Sequence, residues 1–320
     1  MMQRRHGLLW ALGGGLAGCQ PAPAPVAATE PLRLAMDLWP GYYPGLLADE
    51  LGWLREAGVQ LSLSLPGNTD RMMADFTAGR HDLVAVALGD LISTTRGHSS
   101  VQVVLVTDES AGGDAVLARA GLGAPARAQR VATNLGGFGE LFLREFARAR
   151  QIDSRRWVWV NADAAEVPQL LRQGLIDLGH TWEPYVAQAE QAGSVRLFGS
   201  DETPGLIPDV LVATRSTLER RRPVLQAFVQ AWLRAVDWWA AHPGEAARRV
   251  SRRVGVPADR ISLRGVRLLG LADNRRLLGG TGTTPLLAGT VLRYSDFFLN
   301  RGTVGRPVDP LALLRPDLLP

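Results

Sequence analysis

From Leu32 onward, short apolar runs alternate with stretches whose apolar residues recur every three or four positions. Residues 32–38, 59–65, 82–88 and 101–107 read as strands. Helices are expected at 44–56 and at 70–78, with Asp70 as an N-cap and Gly79 closing the second. The middle third repeats this order, with strands at 130–133, 157–160 and 175–181 and helices at 138–150 and 164–173. After a strand at 209–214 the pattern becomes helical, at 224–241, 244–253 and 285–299. The last helix is expected to start from the hydroxyls of Thr281-Gly282-Thr283-Thr284, with Pro285 in its first turn. Such alternation predicts an α/β protein with a largely parallel sheet.

Two stretches match each other. Phe76-Thr77-Ala78-Gly79-Arg80-His81-Asp82-Leu83 and Leu171-Arg172-Gln173-Gly174-Leu175-Ile176-Asp177-Leu178 each end a helix at glycine and enter a strand at Asp-Leu. The expectation is two similar lobes, one from residues 32–112 completed by 209–320 and one from 113–208. Ligands of open α/β sheets gather at the carboxyl ends of strands. The matching cleft loops are Gly89-Asp90 in the first lobe and Thr181-Trp182-Glu183-Pro184-Tyr185 in the second.

The amino terminus stands apart from this pattern. Arg4 and Arg5 precede a short apolar stretch, Gly7 to Gly18, too brief to span a bilayer, so residues 1–18 read as a signal peptide. Leu16-Ala17-Gly18-Cys19 resembles a bacterial lipobox, which implies lipidation of Cys19 and a Pro/Ala-rich tether over 19–31. Export by the general or the twin-arginine route fits equally.

Composition narrows the chemistry. All 35 basic residues are arginine. A lysine-bound pyridoxal phosphate and a P-loop lysine are therefore excluded. One cysteine excludes an internal disulfide and multi-cysteine metal sites. The net charge of +4 falls to +2 once residues 1–18, with two arginines and no acid, are removed. No basic-aromatic stripe points to nucleic acid. None of the five histidines stands at metal-ligand spacing from another, so no zinc site is expected, and His180 reads as structural. Arg220 to Arg222 and Arg248, Arg249, Arg252 and Arg253 read as solvated faces, with a permease or lipid headgroup as the alternative contact.

Several segments carry a resemblance. MDLWPGYYPGLLADELGWLREAGVQLSL, VLVTDESAGGDAVLA, TWEPYV, PDVLVAT and AFVQAWLRAVDWWAAHP resemble the cleft loops and framework of periplasmic substrate-binding proteins of the nitrate/sulfonate/taurine/pyrimidine-precursor group. The resemblance spans roughly residues 32–300. It implies a type II two-lobed binding-protein fold that closes on a small-molecule solute and docks on an ABC permease in the inner membrane. It also implies a monomer without cofactor or catalysis, on the periplasmic side of a bacterial membrane and held there by lipid on Cys19.

The expected ligand-binding residues are Trp39, Tyr42, Asn68, Asp90, Asp108, Ser110, Asp114, Gly136, Trp182 and Glu183. Aromatic faces supply rigid stacking walls and carboxylates accept from amino groups. Asp37, Tyr43, Asp70, Thr133, Asn134, Gly137 and Tyr185 lie in the same loops, Tyr43 with a core role as its alternative. Acids outnumber bases there, and Arg71 is the only nearby arginine. Oxyanion sites want guanidinium partners, although amides at the Gly136-Gly137 helix start would also serve. The loops therefore point to a neutral or cationic nitrogenous solute, a heteroaromatic ring among the forms it could take. Same-fold alternatives are a menaquinone-pathway dehydratase, disfavoured by the export signal, and a solute-sensing lipoprotein. The fungal pyrimidine synthase of thiamine biosynthesis resembles the chain in fold, but its lysine and cysteine-rich segment are absent here.

Overall fold

The computed structural model describes residues 30–98, 100–124, 130–280 and 283–320. The signal segment, Cys19, the tether up to residue 29 and Thr281-Gly282 lie outside them. Two mixed sheets form the centre of the molecule. The first orders its strands β11-β4-β10-β3-β1-β2, and the second β7-β6-β8-β5-β9. The first-sheet strands are β1 (Leu32–Ala35), β2 (Leu61–Ser64), β3 (Leu83–Ala87), β4 (Val101–Ser110), β10 (Pro208–Thr214) and β11 (Val266–Leu268). The second sheet contains β5 (Asp114–Ala118), β6 (Arg130–Thr133), β7 (Val158–Asn161), β8 (Leu178–Trp182) and β9 (Val195–Gly199).

The order β2-β1-β3-β10-β4 in one sheet is reproduced as β7-β6-β8-β5-β9 in the other. The repeated Gly-x-x-Asp-Leu segments explain part of this symmetry. Gly79 and Gly174 both take positive φ, at 76° and 66°, to leave their helices. Asp82 then accepts from the Arg33 backbone N–H at 3.0 Å, and Asp177 accepts from that of Arg130 at 3.0 Å. Each aspartate thus satisfies the amide that opens the neighbouring strand and takes an ion pair, Arg33 or Arg119.

The sheets are not largely parallel, as the alternation suggested. β1–β2, β1–β3, β6–β7 and β6–β8 are parallel, but β10 runs antiparallel to β3 and β4, and β5 antiparallel to β8 and β9. The double crossing of the chain accounts for β10 and β5: β4 leaves the first sheet directly into β5 of the second, and β9 returns to β10, so these two strands enter their sheets from the opposite direction. The edge strand β11 also runs antiparallel to β4.

Other expectations shift locally. The 44–56 helix is two, α1 (Tyr43–Glu50) and α2 (Trp53–Glu56), separated by Gly52 at φ 81°. α3 (Thr69–Thr77) is capped by Asn68, whose side chain accepts from the Arg71 N–H, with Asp70 inside the first turn. Gly89-Asp90 is not a loop: it lies in the first turn of α4 (Leu88–Thr94), which follows β3 without a break.

α5 (Phe138–Ala149), α6 (Val167–Arg172) and α7 (Tyr185–Gln191) flank the second sheet. α8 spans Arg215–Ala241, with non-helical dihedrals at Arg221 just before Pro223, where a proline ring cannot continue the ladder. α9 (Pro243–Val254) and α10 (Leu271–Leu277) lead to α11 (Ala288–Asn300), which starts three residues after Pro285 without a side-chain cap; α12 (Pro310–Leu313) follows. The arginine groups are largely ion-paired and not merely solvated: Arg221 with Asp82, Arg222 with Asp317, Arg249 with Glu245, Arg252 with Glu50 and Arg253 with Asp49.

Candidate functional site

The carboxyl ends of β1, β3 and β8 converge on a cavity between the sheets. Asp37, Trp39 and Tyr42 reach it from the turn after β1, and Val86, Ala87 and Asp90 from the β3–α4 junction. Thr69 enters from α3, and Ile207 and Asp209 from the chain's return into the first sheet. The second lobe contributes Asp114 at the start of β5, Phe138 at the start of α5 and Trp182 at the end of β8. Thr69, Trp182 and Asp37 also line an outer cleft with Asn68, Asn134, Asp163 and Tyr185, so they form a neck between two chambers.

Aromatic placement follows from packing. The Trp39 indole N–H donates to Asp108 at 2.8 Å, and Gly113 lets its ring approach so closely that a Cβ there would lie 2.6 Å from it. Phe138 and Trp182 stack obliquely, with centroids 6.0 Å apart. His180, behind them, is fully enclosed and bridges Asp114 (2.9 Å) and Thr133 (3.1 Å), which fixes the Asp114 carboxylate at the cavity wall. The structural role read for His180 fits this geometry.

Carboxylates dominate the electrostatics. Asp108 and Asp209 face each other across the antiparallel β4–β10 pair, beside a register shift. Both are buried, and burial, then for Asp209 the charge of Asp108, pushes their pKa values up. Asp108 accepts from Trp39 and Thr107, whereas Asp209 has the Tyr42 hydroxyl, so Asp209 is the member that retains a proton. Burial also pushes Asp90 up to about 7, against the backbone N–H of Phe138 that it accepts at 2.9 Å. Asp37 is raised, by burial first, with Thr69 opposing. No arginine lines either chamber among the described residues.

Among the expected residues, Trp39, Tyr42, Asp90, Asp114 and Trp182 line the inner cavity and Asn68 the outer cleft. Asn68 also donates to Asp163 of the second lobe at 3.0 Å. Asp108 sits behind Trp39 and does not line the cavity. Ser110 shares a 2.7 Å hydrogen bond with Ser200, accepts from the Asp114 N–H and so ties the two crossover segments together. Gly136 borders a separate pocket beside Asp90, and the Glu183 carboxylate caps the Ala187 N–H at the start of α7. Tyr43 is buried in the first-lobe core.

Asp209, Asp163 and Phe138 were not among the expected residues. An acid opening an otherwise apolar strand, as in Asp209-Val-Leu-Val-Ala and Asp114-Ala-Val-Leu-Ala, is the sequence signal that marks the first of them. Among the described residues no cluster of His, Cys, Asp and Glu is arranged to hold a metal ion.

Comparison with known proteins agrees with this architecture. The family model described as "NMT1/THI5 like" matches residues 39–246. The ligand-binding component of an ABC-type import system from Staphylococcus aureus superposes with a TM-score of 0.72 at 15% identity, covering 90% of this chain and 97% of that one. The alkanesulfonate-binding protein SsuA from Xanthomonas axonopodis pv. citri gives 0.69 at 14% identity, covering 89% and 98%. The nitrate-binding protein NrtA from Synechocystis PCC 6803 gives 0.62 at 14% identity, covering 74% and 70%. A search of curated protein sequences returns no match. The likeness establishes the two-lobed periplasmic-binding-protein fold read from the sequence segments.

Proposed function

The chain belongs to the NMT1/THI5-like family, and we propose that it is the solute-binding component of an ABC importer that captures a small cationic, nitrogen-bearing molecule. The observation that carries the choice of solute is the cavity wall. Asp37, Asp90, Asp114 and Asp209 meet there with Trp39, Phe138 and Trp182, and no guanidinium accompanies them. Buried carboxylates without a countercharge are costly, and a cation flanked by aromatic faces relieves that cost. A sulfonate or nitrate in the same place would face the carboxyl groups of Asp37, Asp90 and Asp114 and the protonated Asp209, with no guanidinium donor.

In this reading the lobe of residues 32–112 and 209–320 closes on that of 113–208 about the Ser110–Ser200 crossover and buries the solute between Trp39 and Trp182. The protein is exported, anchored on the periplasmic side by lipid on Cys19, works as a monomer and delivers its solute to a permease without catalysis. Calorimetry with matched panels of amines, pyrimidines and sulfonates tests the solute class. Binding is expected among the amines and amino-substituted rings, and tight binding of a sulfonate with none of an amine overturns it.

A further inference from the structure

Asp37 is the residue at the neck whose hydrogen bonding is incomplete. Its Oδ2 accepts from the Thr69 hydroxyl at 3.0 Å. Its Oδ1 is buried and has no donor. An ionised carboxylate is acceptor-only, and a buried acceptor without a donor costs about 1–3 kcal/mol, more when charged. The surrounding side chains do not relieve it. Asp163 across the cleft is itself acidic and adds to the burial that raises the pKa of Asp37, and the Tyr185 phenol, raised first by burial, is raised further by the negative charge of Asp37. Thr69 is already engaged, and Trp182 offers the neck an aromatic ring.

We propose that Asp37 Oδ1 is the anchoring acceptor for an N–H-bearing cationic group of the solute, held at the neck between the two chambers beside Trp182. This rests on the solute class proposed above and narrows it. The cation must donate a hydrogen bond, which a primary or secondary ammonium or a protonated ring nitrogen does and a quaternary ammonium does not. The two chambers divide the rest of the solute. The inner one, walled by Trp39 and Phe138, suits a compact apolar or aromatic part, and the outer one offers Asn68, Asn134 and Asp163 to polar substituents.

The test uses three ring-bearing probes on the full-length protein: benzylamine, benzyltrimethylammonium and toluenesulfonate. It compares wild type with Asp37→Asn by calorimetry, and follows the thermal stability of both without solute. Benzylamine is expected to bind wild type at least tenfold more tightly than benzyltrimethylammonium and to lose at least tenfold in Asp37→Asn. The solute-free variant should be as stable as wild type or more so, because an uncompensated buried charge has been removed. Equal binding of the two cations, or benzylamine binding untouched by Asp37→Asn in a folded variant, overturns the anchoring role while leaving the cationic solute class standing. Binding of toluenesulfonate alone overturns the solute class, and the anchor with it.

Discussion

Asp90 of the first lobe accepts a 2.9 Å hydrogen bond from the backbone N–H of Phe138, the residue that opens α5 in the second. The carboxylate therefore caps a helix of the opposite lobe, where an anion also meets the favourable end of the helix dipole. The approach is tight: a Cβ on Gly137 would lie 2.4 Å from Asp90 Oδ1, and one on Gly89 2.6 Å from Phe138 Cβ. Arg293 of α11 and Arg301, which follows it, reinforce the junction by reaching Glu145 and Glu140 of α5, at 2.8 and 3.1 Å.

Replacing Asp90 with alanine removes the only side-chain cap on that helix among the described residues and one of the bonds that join the lobes. Solute affinity is expected to fall by about tenfold to a hundredfold, equivalent to about 1.4–2.8 kcal/mol. Calorimetry reads the loss, and Asp90→Asn, whose amide oxygen still accepts, should recover part of it.

The stability of the solute-free protein and its affinity for solute depend on pH with opposite signs. Asp90 is held at about 7, above the ordinary carboxylate value of about 4, so between those limits the folded protein holds a proton that the unfolded chain releases. The stability that this proton contributes is fully present below pH about 4 and is lost as pH rises through about 7. The buried Asp108–Asp209 pair acts in the same direction. Thermal melts of the solute-free protein should show the midpoint falling from pH 5 to pH 8. Binding of a cation favours the ionised carboxylates, so affinity should rise over the same interval, with proton release detectable as a buffer-dependent binding enthalpy.

Gly265 bears directly on the crossover. It takes φ +75°, and its carbonyl accepts from both the Ala111 and Gly113 N–H groups, at 2.8 and 2.9 Å. A Cβ there would lie 2.4 Å from the Gly113 nitrogen, an atom of the main chain that has no room to yield. Gly265→Ala is expected to cost about 2–4 kcal/mol through strain and backbone displacement, measured by urea unfolding. Because Gly113 also makes room for the Trp39 ring, the variant should lose solute affinity as well.

Asp82 and Asp177 provide an internal comparison. Each accepts from the backbone N–H that opens the neighbouring strand, Arg33 or Arg130. Alanine at either position is expected to destabilise by about 2–3 kcal/mol. Each variant strands two arginines, Arg33 and Arg221 or Arg119 and Arg130, and Asp82→Ala should cost slightly the more, because Arg221 at 2.8 Å loses a closer carboxylate than Arg130 at 3.9 Å. Parallel chemical denaturation of the two variants checks the ranking.

Much of the framework is readable from residue order alone. The 3.6 and 2.0 periodicities place most strands and the long helices within a few residues, because those elements bury one face and the pattern records which. Asp82 and Asp177 are visible as a repeat because the turn chemistry that precedes them is local: a glycine at positive φ, then a strand. The absence of lysine, too, is a property of the chain and needs no fold to exclude lysine chemistry.

Other features had to wait for the tertiary arrangement. Nothing local marks β10 as antiparallel to β3 and β4; its direction follows from where the chain re-enters the first sheet. The aromatic and acidic loops could be named, but not sorted. Ser110 became a tie between crossover segments, Asp108 a support behind Trp39, and Glu183 a helix cap, while Asp209 joined the cavity from a strand that reads as framework. Residue type sets what a side chain is able to accept or donate. Which partners are already within about 3 Å, and so which capacity is left over for a solute at Asp37, depends on segments far apart in sequence that only packing brings together.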